Sequence, residues 1–250
     1  MTERLSPEEI ADMRKAGKVA ALILKKLGKL IKPGITTKQI EETFDKYIAG
    51  YPGMAGAFKG FMGYPASVCV SLNDEVIHGI PKDTVMIKDG DVVSIDLGIK
   101  YKGLFVDTAH TFISGHASKK AKQLVKATRQ ALYEGIKQAR IGATIGDIGF
   151  AVQNFLEKKR FSVIRKFVGH GIGRSLHLYP EVPNFGIKGE GEPLVEGMAI
   201  AVEPMVSCGD YDVMVEDDGW TAKTKDGSLS AHFEHTIAIT KRGPVIITKI

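Results

Sequence analysis

The feature that most constrains this chain of 250 residues is an internal repeat. When KPGITTKQIEETFDKYI is laid over the segment that begins RIGATIGDIGFAVQNFL, at an offset of 108 residues, Gly34 meets Gly142, Thr36 meets Thr144 and Ile40 meets Ile148. The apolar pairs Phe44/Val152, Tyr47/Phe155 and Ile48/Leu156 follow in step. A long helical pattern precedes each copy. The first opens at Ser6-Pro7-Glu8-Glu9, with Ser6 as N-cap, proline in the first turn and Glu9 completing a capping box. It continues through Ile10, Met13, Ala20, Leu24, Leu27 and Ile31 until KPG stops it. The second is ASKKAKQLVKATRQALYEGIKQA. Each copy is followed by a histidine–glycine loop, IHGIP at 77–81 and GHGIG at 169–173, and then by β-rich sequence holding acids. The first copy also carries AGYPGMAGAFKGFMGYP, a loop long enough to suggest function. The repeated order predicts a single unit spanning 1–250, with halves of about 1–115 and 116–250. A pseudo-twofold axis would relate them, with sheets meeting in the middle and helices outside. The length suits one sizeable core.

The acids stand where strands should be apolar. In DGDVVSIDLGIKYKGLFVDTAHTF, two apolar runs flank a turn-like IKYKG. A two-residue turn at Tyr101 and Lys102 would place Asp96 directly opposite Asp107 on one sheet face, whereas a longer or bulged turn would make them diagonal neighbours. Opposed aspartates repel and need an arginine, a shared proton or a cation. The second half repeats the oddity: AIAVEPMV ends an apolar run at Glu203 before a proline, and LSAHFEHTIAI places Glu234 within a strand, on the side of His232 rather than Phe233 and His235. Four acids at one centre are offset well only by multivalent cations. Carboxylates with one imidazole suit manganese, ferrous iron, cobalt or zinc, and the number of acids favours two bridged ions over one. His170 is the candidate imidazole.

Competing chemistries find little support. FVGHGIGRSLH breaks the GxGxxG pattern, because Arg174 stands at the third glycine, and no GxxxxGK[ST], GxSxG or HExxH occurs. Its glycines are expected to let the backbone pass close to a metal centre. Cys69 alternates within SVCVS as a strand residue facing a pocket or core. Two cysteines are too few for a disulfide framework, and no apolar run approaches a membrane span. The acidic start lacks a secretory core. A reduced cytoplasm is expected. The net charge of +5 comes with basic runs at 25–32, 118–129 and 157–166. These are solvated helix faces, or a phosphate-seeking surface for RNA. No aromatic residues interleave with them, as a single-strand stacking platform would need.

IDLG, DTAHTF, GHGIGR, EPM and FEHT, in this order, with NDEVIHGIP and KTKDGSLSAHFEHT, closely resemble the methionine aminopeptidases of type I over essentially the whole chain. The resemblance implies the α+β pita-bread fold, with a central antiparallel sheet and outer helices around a dinuclear metal site. It implies removal of initiator methionine from nascent chains and peptides with a small second residue, by a metal-bridging hydroxide. Asp96, Asp107, His170, Glu203 and Glu234 would hold two divalent ions (Co, Mn, Fe or Zn), with Asp107 and Glu234 bridging. Glu203 would carry the proton, His78 would hold the scissile amide, and His177 would stabilise the oxyanion. Phe61, Tyr64, Cys69, Leu176 and Trp220 would form the methionine pocket, and a monovalent cation would lie near Asn73 and Ser230. Leu178, Tyr179 and His232 depart from the family pattern, in which glutamate commonly follows the second histidine and glutamine stands at the place of His232. A monomeric cytoplasmic enzyme is expected, without membrane or DNA partners, and with a ribosome docking surface on the basic helices. The alternatives are another pita-bread peptidase of the Xaa-Pro type, and a peptide- or ribosome-binding module that has lost its chemistry.

Overall fold

In the computed structural model, which describes residues 2–249, four helices form where the repeat places them. α1 (Pro7–Gly28) and α2 (Thr37–Ile48) belong to the first copy, α3 (Lys119–Gln138) and α4 (Ile145–Glu157) to the second. Ser6 and Glu9 close the expected capping box on α1. This helix ends at Gly28, so Ile31 lies beyond it. α2 and α4 start at equivalent threonines, Thr36 and Thr144, each with a capping box completed three residues later by Gln39 and Asp147. Reciprocal bonds of this kind satisfy amide groups that a helix start otherwise leaves unpaired. The chain before each helix is also tied down alike: Thr37 N donates to Val85 O at 3.0 Å, and Ile145 N to Glu192 O at 3.0 Å.

The first half carries β1 (Met54–Gly56), β2 (Cys69–Leu72), β3 (Glu75–Ile77), β4 (Val92–Tyr101) and β5 (Leu104–Ile113). The long loop is therefore not structureless. It holds β1, which pairs with the end of β4, and a 3-10 turn at Phe61–Gly63. β4 and β5 form an unbroken antiparallel hairpin in which Tyr101 pairs with Leu104. The turn is thus Lys102-Gly103, one residue later than Tyr101-Lys102, with φ of 51° and 79°. A turn with positive φ at both positions matches strand twist and accepts glycine far better than a bulky aromatic. The register moves by two in pairing, so every side chain keeps its face. Asp96 opposes Ala109, Asp107 opposes Gly98, and the aspartates are diagonal neighbours rather than directly opposed.

The second half carries β6 (Ser162–Val163), β7 (Gly169–Gly171), β8 (Leu178–Val182), β9 (Ala199–Val202), β10 (Met205–Ser207), β11 (Val213–Val215), β12 (Ala222–Thr224), β13 (Ser230–His232), β14 (His235–Thr240) and β15 (Gly243–Ile246). Its main sheet runs β15-β14-β9-β7-β8. Glu203 directly follows β9, before Pro204, where the strand is expected to break off. Glu234 does not lie within one strand: the chain changes sheets there, β13 pairing with β10 and β14 with β9. Released from a ladder, Glu234 N donates instead to Ala109 O of β5 at 2.9 Å.

Threonines join the halves. Thr236 Oγ1 donates to Asp107 O at 2.8 Å and accepts from Asp107 N at 2.9 Å. Reciprocally, Thr111 Oγ1 donates to His232 O at 2.7 Å and accepts from His232 N at 2.9 Å. Buried hydroxyls must find partners, and here both backbone groups of a site-facing residue are satisfied by one side chain from the opposite half. Apolar side chains fill the space behind. Ile23, Leu27, Ile40, Phe44, Ile95, Leu97 and Ile99 pack in the first half, and Leu132, Ile148, Ile200, Val202 and Ile237 in the second. Each contributes about 1.5–3 kcal/mol by leaving water.

Candidate active site

The acids and histidines singled out in sequence converge between the halves. Ligand atoms of Asp96, Asp107 and Glu234 lie within 4.8 Å of one another, as do those of His170, Glu203 and Glu234, and those of Asp107, His170 and His177. Glu234, Asp107 and His170 each belong to two groups. Among the described residues no lysine or arginine pairs with any of the four acids, so of the three ways to offset them the arginine is absent. Burial pushes Asp96 up to about 7 and Glu203 up to about 8. Asp107 and Glu234 are driven well above the carboxylate range, first by burial and then by the neighbouring acids. Four such groups cannot ionise together unless cations join them. Asp96 Oδ1 and Glu234 Oε1 are buried acceptors without a hydrogen-bond partner. Orphaned carboxylate oxygens beside a neutral imidazole fit a divalent cation cluster.

His170 is prepared for that role by its own strand. Its Nδ1 lies 2.9 Å from Gly171 O. A carbonyl only accepts, so Nδ1 carries the proton and Nε2 presents a lone pair. Burial, with His177 beside it, lowers its pKa to about 3 and keeps it neutral. The flanking glycines answer to packing against strands rather than to closeness to a metal. A side chain at Gly169 would strike Ala201 O of β9, and one at Gly171 would strike Tyr179 O of β8. β7 fits between its neighbours because it is nearly bare, and His170 is its one large side chain.

The cluster forms the floor of a cavity of ≈ 730 Å³, lined also by Phe61, Tyr64, Cys69, His78, Leu176, His177 and Trp220. Every pocket residue expected from sequence lies here. Tyr64 and Trp220 meet edge to face with ring centroids 5.2 Å apart, and Tyr64 OH donates to Gly79 O at 3.1 Å. His78, at φ 59°, is held between Phe167 at 5.8 Å and Trp220 at 6.4 Å. Burial lowers its pKa to about 4. His177 is exposed, with its ring 4.2 Å from that of His170 and 5.1 Å from that of Phe61. Burial raises the Cys69 thiol, which makes it a poor nucleophile.

Several site residues have no sequence signal. Phe167 opens the glycine-rich motif, but only the fold brings it against His78. Asn184 fixes the backbone of Glu203 through Nδ2 to Glu203 O at 3.0 Å. His232 Nε2 is buried without a hydrogen-bond partner, 3.5 Å from Glu203 Oε2, while His170 Nε2 lies 3.5 Å from Glu203 Oε1. Asn73 and Ser230 meet through Ser230 N and Asn73 O at 2.7 Å and do not line the cavity. A second cavity of ≈ 510 Å³ on the outer side of α3 and α4 is lined by Phe150, Phe155, Lys158 and Lys188 among others, and no histidine or cysteine faces it.

A model of metallopeptidase family M24 matches residues 11–241. The methionine aminopeptidase of Clostridium perfringens is 46% identical over 242 residues, covering 97% of this chain and 96% of that protein. Methionine aminopeptidase 1 of Bacillus subtilis is 43% identical over 245 residues, covering 98% of each. Among solved structures, methionine aminopeptidase from Thermotoga maritima superposes with a TM-score of 0.98 at 45% identity, over 100% of both chains. A prolidase from Pyrococcus furiosus reaches 0.78 at 20% identity, covering 99% of this chain and 65% of that one, a likeness of fold alone.

Proposed function

The chain belongs to metallopeptidase family M24, with the pita-bread fold of the methionine aminopeptidases, and from that premise we propose how its side chains divide the work. It is a hydrolase that uses divalent metal to remove N-terminal methionine from peptides and proteins. We assign the ligand role to Asp96, Asp107, His170, Glu203 and Glu234, which would hold two divalent ions between them. Cobalt, manganese, iron and zinc all suit this donor set. Metal held there supplies Lewis-acid activation of water and of the scissile carbonyl near neutral pH. The convergence of the four acids with His170 and His177 in three overlapping groups carries this reading.

Glu203 takes a proton from the attacking water on a carboxylate oxygen and delivers it to the leaving nitrogen. His177, exposed at the cleft, donates to the oxygen on which charge develops. His78, fixed between two aromatic rings, holds the scissile amide. Phe61, Tyr64, Cys69, Leu176 and Trp220 measure the methionine side chain by shape, which discriminates by about 1–3 kcal/mol per methylene.

A monovalent cation near Asn73 and Ser230 is supported by Ser230 Oγ, which is buried without a partner. Ribosome docking through α3 is supported by exposed Lys119, Lys120, Lys122, Lys126 and Arg129. The split of the ligands between sequence halves of about 1–115 and 116–250 supports one catalytic unit. No described helix is long and apolar enough to cross a membrane.

Competition between Met-Gly-Met and Ala-Pro peptides, with manganese or cobalt supplied, tests the reading. Cleavage of the methionine peptide is expected, and preference for the proline peptide would overturn it.

A further inference from the structure

The mouth of the cleft carries side chains that this reaction leaves unused. Met62, Tyr179 and Val215 line the same cavity as His177 and are 79%, 57% and 38% exposed. They come from three separate elements: the 3-10 turn, β8 and the end of β11. One exposed apolar residue is ordinary, but three around a single opening form a patch. Two of them are held in place. Met62 has φ 50°, between Gly60 at 86° and Gly63 at 91°, a left-handed backbone that long side chains rarely adopt. It directly follows Phe61, whose ring rests edge-on against His177. Tyr179 OH donates to Glu192 Oε2 at 2.8 Å, and Thr2 Oγ1 donates to Glu192 Oε1 at 2.6 Å. Strain and tethering of exposed apolar groups at a site opening point to contact with a ligand.

The occupant follows from the reaction. A substrate that gives up only its first residue leaves the rest of its chain running out through this mouth. An extended chain advances about 3.3–3.6 Å per residue, so the third and fourth residues pass the rim on the order of 7 to 10 Å from the scissile bond. A cavity of ≈ 730 Å³ has room for several residues and not only for one side chain. We propose that Met62, Tyr179 and Val215 form an apolar subsite for the third and fourth residues of the substrate. The enzyme thereby favours apolar side chains there, in addition to a small second residue. This rests on the methionine-removal reading.

The test compares kcat/KM for Met-Ala-Leu-Phe and Met-Ala-Ser-Ser. The wild-type protein is expected to favour the apolar peptide by about tenfold, chiefly through KM, as binding felt equally in ground and transition state requires. The Met62→Ser, Tyr179→Ser double variant is expected to bring the ratio near one, whereas Met62→Leu and Tyr179→Phe keep it. Taking the ratio within each protein cancels any loss of folded enzyme. Equal cleavage of both peptides by the wild type, or an unchanged ratio in the double serine variant, overturns the subsite and leaves methionine removal standing. Failure to cleave either peptide overturns both.

Discussion

The two halves share their helices and differ in their strands. α2 and α4 occupy the same sequence positions at an offset of 108, start from equivalent threonines and bury equivalent residues, Ile40 with Ile148 and Phe44 with Val152. The strands that carry the acids diverge. In the first half Asp96 and Asp107 sit inside one continuous hairpin, so the ladder register fixes two short side chains. In the second half Glu203 and Glu234 stand where the chain leaves one sheet for another, and longer side chains reach in from backbone that the ladder does not hold. That half also supplies His170 and His177. The first half is a rigid template for charge, the second carries the group assigned to move a proton, and both supply side chains that meet the substrate.

Asp96 and Glu203, at an offset of 107 residues, give the sharpest way to break this comparison. Asp96→Asn weakens metal binding, and excess manganese is expected to recover most of the activity. Glu203→Gln removes a ligand and the proton carrier together, so at saturating metal kcat on Met-Ala-Ser stays about 10²- to 10⁴-fold down. Equal rescue of both variants by manganese would show that Glu203 does no more than Asp96. His170→Ala abolishes turnover under this assignment, and near-normal activity would contradict it.

The same two acids, together with Asp107 and Glu234, set the pH response of the metal-free protein. Burial raises Asp96 from its usual 3.8 to about 7 and Glu203 from 4.5 to about 8. Raised groups contribute fully below their unfolded values and lose that contribution as pH climbs through the folded ones. His170 and His78 are lowered from 6.5 to about 3 and about 4, so their contribution is complete above 6.5 and lost as pH falls. Between pH 6.5 and 8.5 the acids act alone. At about 1.4 kcal/mol per pH unit for each titrating group, Asp96 and Glu203 alone should cost the metal-free protein roughly 2–3 kcal/mol across this window, and the raised Asp107 and Glu234 add to the loss. Adding a divalent cation should restore it. Calorimetry on chelator-treated protein at the two pH values checks this, and identical melting would show that the acids are not confined together.

How much was legible in sequence follows the same division. The helices were readable to within a turn, because caps and apolar periodicity are local. The carboxylates were visible as misfits in apolar strands, and their faces survived a misplaced turn because strand parity is insensitive to a register change of two. Non-local partners were not legible. Nothing in the spacing says that Thr236 grips both backbone groups of Asp107, that Phe167 meets His78, or that the chain switches sheets at Glu234. The glycines of the GHGIG loop were noticed for the wrong neighbour: they make room for strands, and only the histidine between them faces the acids.

A finer difference lies within the matched helices. Position 41 in α2 and position 149 in α4 are equivalent, yet one is glutamate and the other glycine. Glu41 is buried, accepts from Ser67 N at 2.8 Å and pairs with Lys38 at 2.6 Å. Gly149 lies against the carbonyls of Phe185 and Pro183, with no space for a side chain. Glu41→Ala should cost about 1–3 kcal/mol by stranding an amide. Gly149→Ala should cost a similar ~1–3 kcal/mol by overpacking. Denaturant melts of both variants decide whether one helix register is held by a bond on one side and by close contact on the other. If either substitution were silent, that account would fail for its half.

The smallest effect tests the part of the comparison in which the halves agree. Thr36 and Thr144 each accept from an amide three residues on, at 3.3 Å and 3.4 Å, and each of their own amides donates to the returning side chain, at 2.9 Å and 2.8 Å. Alanine at an N-cap typically costs about 1 kcal/mol. Both substitutions should therefore lower stability by nearly the same amount, a shift of about 2–4 °C in Tm for a chain of this size. The double variant should show their sum, since the caps share no partner. Two differences tilt the balance: the returning group is a neutral amide from Gln39 in the first half and a carboxylate from Asp147 in the second, and Thr144 Oγ1 also donates to that carboxylate at 3.2 Å. A carboxylate in the first turn also favours the helix dipole, by about 0.3–1 kcal/mol. Thr144→Ala leaves that carboxylate in place, so the dipole contribution cancels, but it removes the hydroxyl's own bond to Asp147 and should be the costlier of the two by about a few tenths of a kcal/mol. A larger loss at Thr36 than at Thr144 would mean that the caps differ in more than the bond to the returning carboxylate.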